Sequence, residues 1–201
     1  MSSESPQKAV IFLHIPKAAG STLHDIIERQ YSPKLVYSVT GNQVPESVAQ
    51  FRALPESERQ NLKMVKGHMG FGLHELLPQG ATYFTLLRHP VDRVLSHYYY
   101  ILRRPNHYLY ETVTEQNMSL QDFAIRKPSL ELDNGQTRLI AGKHGEPDRS
   151  IEIGQCTPEM LEDAKQNLRN FFTVVGITEE FDRALILLKR TFGWRNVFYT
   201  K

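Results

Sequence analysis

Apolar residues follow two alternating spacings along the chain, and these spacings predict short strands separated by amphipathic helices. Short apolar runs that end at glycine or polar residues predict strands at residues 10–13, 35–39, 64–67, 81–87 and 172–176. Between them, apolar residues recur at the i, i+3, i+4 spacing of a helix face. Helices are expected to start at Ser21–Thr22, Pro45, Pro90, Ser119, Gln136, Thr157 and Thr178, with a break at Pro55 and an irregular stretch at 103–118.

This alternation indicates an α/β fold with a mostly parallel central sheet flanked by helices. In such sheets, ligands bind beyond the carboxyl ends of the strands. Three predicted strands lead into loops that carry small or cationic residues, after Leu13, after Lys66 and after Leu87. We therefore expect these three loops to converge at one edge of the sheet and to form the ligand site.

Composition narrows the class of protein without identifying a function. The 201 residues suffice for one domain, which we place at residues 9–201 behind a polar, flexible tail at 1–8. A net charge of +2 is too small to predict a nucleic-acid partner. The lone Cys156 excludes an intramolecular disulfide, which fits a reducing compartment. The sequence has no leader pattern and no apolar run near the ~20 residues of a membrane span, so we expect a cytoplasmic location.

The loop after the first strand has the features of an anion site. Residues 16–20 read Pro-Lys-Ala-Ala-Gly, and Ser21 and Thr22 follow at the start of the next helix. The first N–H groups of a helix lack partners, Gly20 permits close approach, and Lys17 adds a mobile charge. It is not a Walker A loop, because Lys17 precedes Gly20 by three positions. An ordinary strand-to-helix turn with one lysine is the alternative.

The other two loops carry a cation and an imidazole. Arg88 opens the stretch 88–107, which holds four arginines and three histidines against one acid. A cation at this strand end favours direct anion binding, whereas a P-loop NTPase usually has an acid there for Mg²⁺. His68 follows its strand directly, and an imidazole can take a proton from a hydroxyl near neutral pH. The His, Cys and acidic residues show no metal-ligand spacing, so we expect no metal.

Two long motifs in these loops resemble those of sulfotransferases that depend on 3′-phosphoadenosine 5′-phosphosulfate (PAPS), on the branch of heparan sulfate 2-O-sulfotransferase and its bacterial relatives. Residues 14–22, His-Ile-Pro-Lys-Ala-Ala-Gly-Ser-Thr, resemble the 5′-phosphosulfate loop, and residues 87–96 resemble the 3′-phosphate motif. Gly67-His68 is similar to the segment of the family's catalytic histidine, and the resemblance covers most of residues 9–192. Members commonly continue past the position of Lys201, so this domain is expected to be shorter at its C-terminus.

The resemblance implies the sulfotransferase fold, with its P-loop-like nucleotide-binding architecture. It also implies sulfuryl transfer from PAPS to a hydroxyl or amine, without a metal and with release of 3′-phosphoadenosine 5′-phosphate (PAP). The donor site would comprise Lys17, Ala18, Ala19, Gly20, Ser21, Thr22, Arg88 and Ser96; Lys17 would stabilise the leaving phosphate, and His68 would be the general base.

The sequence leaves several points open. A small molecule, a glycan or a lipid can be the acceptor, and the oligomeric state is not predicted. Whether Arg93, His14 and His74 contribute to the site is also open. Two alternative functions are a P-loop-like nucleotide or small-molecule kinase and a non-catalytic PAP-binding relative.

Overall fold

A parallel five-stranded sheet forms the centre of the protein. The computed structural model describes residues 8–41, 43–147, 149 and 151–200, so the predicted tail at 1–8 lies outside the description except for Lys8. The strands are β1 (Ala9–Leu13), β2 (Val36–Val39), β3 (Met64–Gly67), β4 (Ala81–Leu87) and β5 (Phe172–Ile177), in the order β2-β3-β1-β4-β5. Every pairing between neighbours is parallel. The expected fold class and all five expected strands are therefore confirmed.

Helices separate the strands along the chain. Among the described residues they are α1 (Gly20–Glu28), α2 (Val44–Ala53), α3 (Glu56–Asn61), α4 (Pro90–Leu102), α5 (Tyr110–Glu115), α6 (Leu120–Arg126), α7 (Gly135–Ile140), α8 (Pro158–Phe171) and α9 (Phe181–Phe192). The break expected at Pro55 is confirmed, because Pro55 is the N-cap of α3. In the part of the chain that the structure describes, no helix has both the length and the apolar character to cross a membrane.

The central strand β1 pairs with β3 and β4, and its register with them sets where the neighbouring loops begin. Its five residues are all buried, with β3 on one side and β4 on the other, which explains why the run is apolar throughout. Leu13 pairs with Gly67, so the loops after β1 and β3 start side by side. Leu87 at the end of β4 pairs with Ile177 of β5. The carboxyl ends of four neighbouring strands therefore meet at one edge of the sheet.

Two expected helix starts are wrong, one because of the local backbone and the other because of a tertiary contact. Ala19, in the left-handed conformation with φ 54°, is the N-cap of α1, so Ser21 and Thr22 lie inside its first turn. Thr178 does not cap the last helix, because its hydroxyl donates to the main-chain oxygen of Leu87 at 2.9 Å and α9 begins further along the chain. The side chain that looked like a cap instead joins the ends of β5 and β4.

The stretch expected to be irregular contains a helix as well. Residues 103–118 include α5, which packs with α4 and α6. Their contact buries a second, smaller apolar cluster made of Ile101, Leu109, Val113, Met118, Phe123 and Leu132. Because this cluster draws its apolar residues from three short elements, no single window of sequence shows the helical spacing strongly. The cluster supports α4 from the side opposite the central core.

A buried ionic network fastens the segment after α6 to the rest of the fold. The Asp133 side chain is 1% exposed and accepts hydrogen bonds from Lys127 and Arg138, each at 2.7 Å. Burial by itself would raise the pKa of Asp133, but the hydrogen bonds from Arg138 and Lys127 outweigh it and hold the pKa well below its usual range. Cys156 also donates to this carboxylate at 3.3 Å, which gives the lone cysteine a structural contact.

We expect Asp133→Asn to lower the free energy of unfolding by about 3–5 kcal/mol at pH 7, because the buried Arg138 and the partly exposed Lys127 would lose their carboxylate. A carboxylate with a depressed folded-state pKa contributes stability above its unfolded pKa, and this contribution is lost as pH falls. The gap between wild type and variant should therefore shrink below about pH 4, the ordinary aspartate range. Urea unfolding at several pH values measures this difference in the free energy of unfolding, with exposed Asp163→Asn as the matched control. Equal losses in the two variants would contradict the assignment.

Candidate active site

The loop between β1 and α1 presents unpaired backbone donors. Lys17 and Ala19 have positive φ values of 68° and 54°, which turn the chain sharply before the helix. No side chain caps α1, and in the described part of the chain no acceptor pairs with the backbone N–H groups of residues 20–22. These N–H groups lie at the positive end of the α1 dipole, where an anion is stabilised. The loop thus has the anion-binding geometry expected from its sequence.

A contact between two of the predicted loops brings a second cation to this place. The Arg88 Nη1 atom donates a hydrogen bond to the main-chain oxygen of Lys17 at 3.0 Å. Gln136 of α7 holds the Arg88 main chain on both sides: its Oε1 accepts from the Arg88 N–H at 3.0 Å, and its Nε2 donates to the Arg88 oxygen at 2.9 Å. The Arg88 Nε atom is buried and has no hydrogen-bond partner among the described residues. An unpaired buried donor beside unpaired backbone donors fits an anionic ligand.

Lys17 lies in strongly positive surroundings. Its Nζ atom is 3.5 Å from the centre of the Tyr100 ring, a cation–π contact. Burial, together with the positive charges of Arg103, Arg88 and Arg104, lowers the pKa of Lys17 to about 8. An anion at this site would supply the counter-charge that the surroundings lack.

The orientation of His68 leaves one ring nitrogen available. Its Nδ1 atom lies 3.0 Å from the main-chain oxygen of His14, and since a carbonyl only accepts, Nδ1 carries the proton. In the neutral ring Nε2 is therefore the acceptor. Burial lowers the pKa of His68, Lys17 lowers it as well, and the bond to His14 opposes them. His68 is thus held as a neutral imidazole that can accept a proton from a nearby hydroxyl.

His14, at the start of the loop after β1, contacts His68 through both its main chain and its ring. Its ring stacks on His68 with 4.1 Å between centroids, and its Nδ1 atom lies 3.0 Å from Nε2 of His24 on α1. Burial lowers the pKa of both His14 and His24, for His24 to about 4, so the pair is neutral at physiological pH. A Cβ atom on Gly20 would lie 1.6 Å from the His14 ring, which explains why a glycine opens α1. His14 supports the site without lining the main cavity.

Two cavities flank the loop between β1 and α1. The larger, of about 570 Å³, is lined by Pro16, His68, Arg93, Tyr100, Glu131 and Arg149, among others. The smaller, of about 240 Å³, is lined by Ala19 and Thr22 of the loop and by Thr178 and Glu179 after β5. Glu179 also accepts a hydrogen bond from the N–H of His89 at 3.0 Å, so the smaller cavity adjoins the Arg88 segment. The loop therefore stands between two spaces that open at the same edge of the sheet.

The remaining candidates separate into those near the cavities and those away from them. Arg93 is 4% exposed, lines the larger cavity and donates to the main-chain oxygen of Glu131. Ser96 lies half-buried on α4 and, within the described part of the chain, makes no hydrogen bond to Lys17 or Arg88. His74 lies apart from the site, with its Nδ1 atom 3.1 Å from the Tyr83 hydroxyl. Within the described residues, no group of three or more His, Cys, Asp or Glu side chains could hold a metal.

Several residues at the site were not singled out from the sequence. Gln136 contacts Arg88 across 48 positions of the chain, and Glu131 contacts Arg93 across 38. Thr178 and Glu179 looked like the start of a helix instead of a cavity wall. The sequence marked Gln136 only as the expected start of a helix, which did not indicate its contact with Arg88.

The family comparison now gives the class of the protein. The model of the galactose-3-O-sulfotransferase family matches residues 1–201. The chain therefore belongs to the galactose-3-O-sulfotransferase family and is a sulfotransferase-type transferase. The narrower resemblance to the heparan sulfate 2-O-sulfotransferase branch is not confirmed by this match. No protein among the curated sequences matches the chain.

Solved structures with a similar course of the chain include two sulfotransferases. Mouse sulfotransferase SULT7A1 complexed with PAP is 13% identical over 100% of this chain and 67% of that chain, with a TM-score of 0.49. A sulfotransferase from Alicyclobacillus acidocaldarius is 15% identical over 96% of this chain and 83% of that chain, with a TM-score of 0.47.

We expect Lys17 to react with an amine reagent at unusually low pH, because burial and neighbouring arginines favour its neutral form. Competitive labelling with acetic anhydride, read by mass spectrometry, should give a midpoint near pH 8 for Lys17. Exposed Lys34 provides the internal reference for reagent decay. A Lys17 midpoint at or above about pH 10, the ordinary lysine range, would show that its surroundings do not have this effect.

Proposed function

We propose that this protein transfers a sulfuryl group from PAPS to a hydroxyl group of a sugar acceptor. The contact between Arg88 and Lys17 carries the proposal, because it places two cations beside the unpaired N–H groups at the start of α1. Membership of the galactose-3-O-sulfotransferase family supports both the donor and a glycan acceptor, one of the acceptor classes expected from the sequence. A uronic-acid sugar, as the heparan sulfate branch would suggest, is the less favoured glycan.

The donor would extend across the loop from the smaller cavity. Its 5′-phosphosulfate would contact Lys17 and the N–H groups of residues 19–22, because the Ala18 N–H, also expected to contribute, donates to the main-chain oxygen of Ile15 at 3.2 Å. The partly buried Arg88 guanidinium would pair with a phosphate of the adenosine. The smaller cavity, beside Ala19 and Thr22, would take the nucleoside. Ser96 stays a prediction for the 3′-phosphate, based on the motif alone. The residues present therefore fit a doubly phosphorylated adenosine without a metal ion.

The chemistry requires stabilisation of the leaving phosphate. When bound, PAPS supplies a sulfuryl group on a phosphate, and transfer replaces the phosphate oxygen on sulfur with the acceptor oxygen. Lys17 and the α1 N–H groups are fixed before the reaction, so they would stabilise the developing charge at no cost of reorganisation. The cation–π contact with Tyr100, which lines the larger cavity, holds the Lys17 ammonium group beside that cavity, where it would face the leaving phosphate oxygen.

His68 would act as the general base on the acceptor side. It lines the larger cavity, and its Nδ1 proton is committed to the His14 oxygen, which leaves Nε2 to take the hydroxyl proton. The larger cavity would therefore hold the acceptor while the smaller cavity holds the donor. This arrangement would let the acceptor oxygen approach sulfur from the side opposite the leaving phosphate oxygen, as an in-line displacement requires.

Calorimetric titration with PAP and with ATP–Mg²⁺ tests the donor assignment. We expect the protein to bind PAP without Mg²⁺, and Arg88→Ala to weaken this binding by about 10- to 100-fold, since a hydrogen bond to a charged group is lost. Arg190→Ala, an exposed change on α9, is the matched control. Binding of ATP–Mg²⁺ but not of PAP would instead favour a kinase. Tight PAP binding without transfer to any acceptor would favour a non-catalytic relative.

We expect His68→Ala to lower kcat by about 10²–10⁴-fold, because the general base would be lost, while PAP affinity stays unchanged. Lys17→Ala should lower kcat by about 10²–10³-fold through the leaving phosphate. The kcat of the wild type should fall at acid pH with a midpoint below about 6.5, the ordinary imidazole pKa. Transfer of ³⁵S from labelled PAPS measures all three. Exposed His144→Asn is the control, and near-normal turnover in His68→Ala would refute the base assignment.

A further inference from the structure

A carboxyl group in the larger cavity has no hydrogen-bond partner in the described structure. Glu131 belongs to the short turn Leu130–Leu132, and its side chain, 39% exposed, lines the cavity that also contains His68. No donor among the described residues lies within hydrogen-bond distance of its two carboxyl oxygens. Among the described residues, Nδ1 of His97 forms the one close contact of this carboxyl group with a basic side chain and lies 3.7 Å from Oε2. This distance is too long for a hydrogen bond.

His97 does not neutralise this carboxyl group. The His97 side chain is 3% exposed, and burial, followed by the charges of His107 and Arg93, lowers its pKa to about 3. The imidazole is therefore neutral at physiological pH, and the pair is not a salt bridge. The Nδ1 atom of His97 has no hydrogen-bond partner in the described part of the chain. An ion pair with His97 therefore does not account for the Glu131 carboxyl group at this position.

The main chain at Glu131 is nevertheless held firmly. The buried Arg93 guanidinium donates to the main-chain oxygen of Glu131, not to its carboxyl group. Burial raises the pKa of Glu131, and the charges of Arg93, Arg149 and Lys17 offset part of this rise. In either protonation state a carboxyl group hydrogen-bonds hydroxyl groups. The result is a positioned polar group that faces the cavity with unused hydrogen-bonding capacity.

The neighbours of Glu131 indicate what kind of ligand it would meet. Tyr100, His107 and Tyr108 line the same cavity, and their ring faces can cover the apolar face of a pyranose. A carboxylate would repel the phosphates and the sulfate of the donor, so Glu131 belongs to the acceptor side of the loop. His68 and Glu131 therefore face one bound molecule that presents several hydroxyl groups.

We propose that Glu131 determines acceptor specificity by hydrogen-bonding the hydroxyl groups next to the one that receives the sulfuryl group. This inference rests on the proposed sulfotransferase function. The acceptor class is a neutral pyranoside with free hydroxyl groups on adjacent carbons. An acceptor with a carboxylate or sulfate at that position would meet the Glu131 carboxyl group and would be disfavoured by like-charge repulsion. Glu131 thus selects the acceptor, while His68 acts on the reacting hydroxyl.

Glu131→Gln tests this assignment, because it keeps the shape and main-chain contact while removing the charge. We expect the KM for a methyl galactoside to rise by about 10- to 100-fold, since hydrogen bonds to a charged group are weakened. The PAP affinity and the urea midpoint should stay at wild-type values. For the wild type, deoxy analogues that lack one hydroxyl next to the reacting one should show a KM raised by a similar factor over that of the methyl galactoside. For Glu131→Gln, the same analogues should raise the KM little further. Glu115→Gln, exposed on α5, is the matched control.

Each outcome decides the inference separately from the proposed function. Unchanged acceptor KM in Glu131→Gln, or equal discrimination of deoxy analogues by variant and wild type, would overturn it. If the wild type binds PAP but transfers nothing to galactosides, the proposed function fails. In that case, calorimetry of the methyl galactoside with the protein–PAP complex still decides: weaker binding by Glu131→Gln supports the inference, and equal or absent binding overturns it.

Discussion

The hydrogen bond from the Arg88 guanidinium to the main-chain oxygen of Lys17 is the contact on which the site depends. It joins the loop after β1 to the end of β4, the two central strand exits, and so fixes one cation beside another. Two like charges approach here because the Arg88 donor meets a carbonyl instead of the ammonium group. The pKa of Lys17 is depressed by burial first and by the charges of Arg103 and Arg88 after it, and the Nε atom of Arg88 has no partner among the described residues. A bound anion would offset both features.

The sheet order explains why the site has two sides. β1 lies between β3 and β4, so its loop rises between the exits that carry His68 and Arg88. The smaller cavity lies toward β5, where Thr178 ties the end of that strand to Leu87. The larger cavity lies on the other side and is closed by α4 and by the segment around Glu131. A parallel sheet in this order thus leaves a space on each side of one loop, and under the proposed function the donor and the acceptor would enter from different sides.

Much of the fold was predictable because each strand is a short, largely apolar run, and the inner strands β1, β3 and β4 are mostly buried. The β3 and β4 bounds agree with the expected ranges, and Ser119 and Thr157 cap α6 and α8 as expected. The predicted meeting of the three loops is confirmed by the Arg88–Lys17 and His68–His14 hydrogen bonds. The errors at Ser21 and Thr178 have different causes. The left-handed backbone at Ala19 starts α1 before Ser21, whereas the Thr178 hydroxyl donates to the distant Leu87 oxygen instead of capping a helix.

The sequence by itself determined the α/β class, the strand positions, the loop with Lys17 and the placement of Arg88 and His68 at strand ends, because these depend on local spacing and on one rule of parallel sheets. The catalytic and binding roles of these residues stay predictions. Only the tertiary structure decided that Gln136 hydrogen-bonds the Arg88 main chain, that the His14 oxygen orients His68 and that Glu131 lines the larger cavity. These contacts join residues far apart in the chain, and their partners are chosen by packing, which no local pattern records.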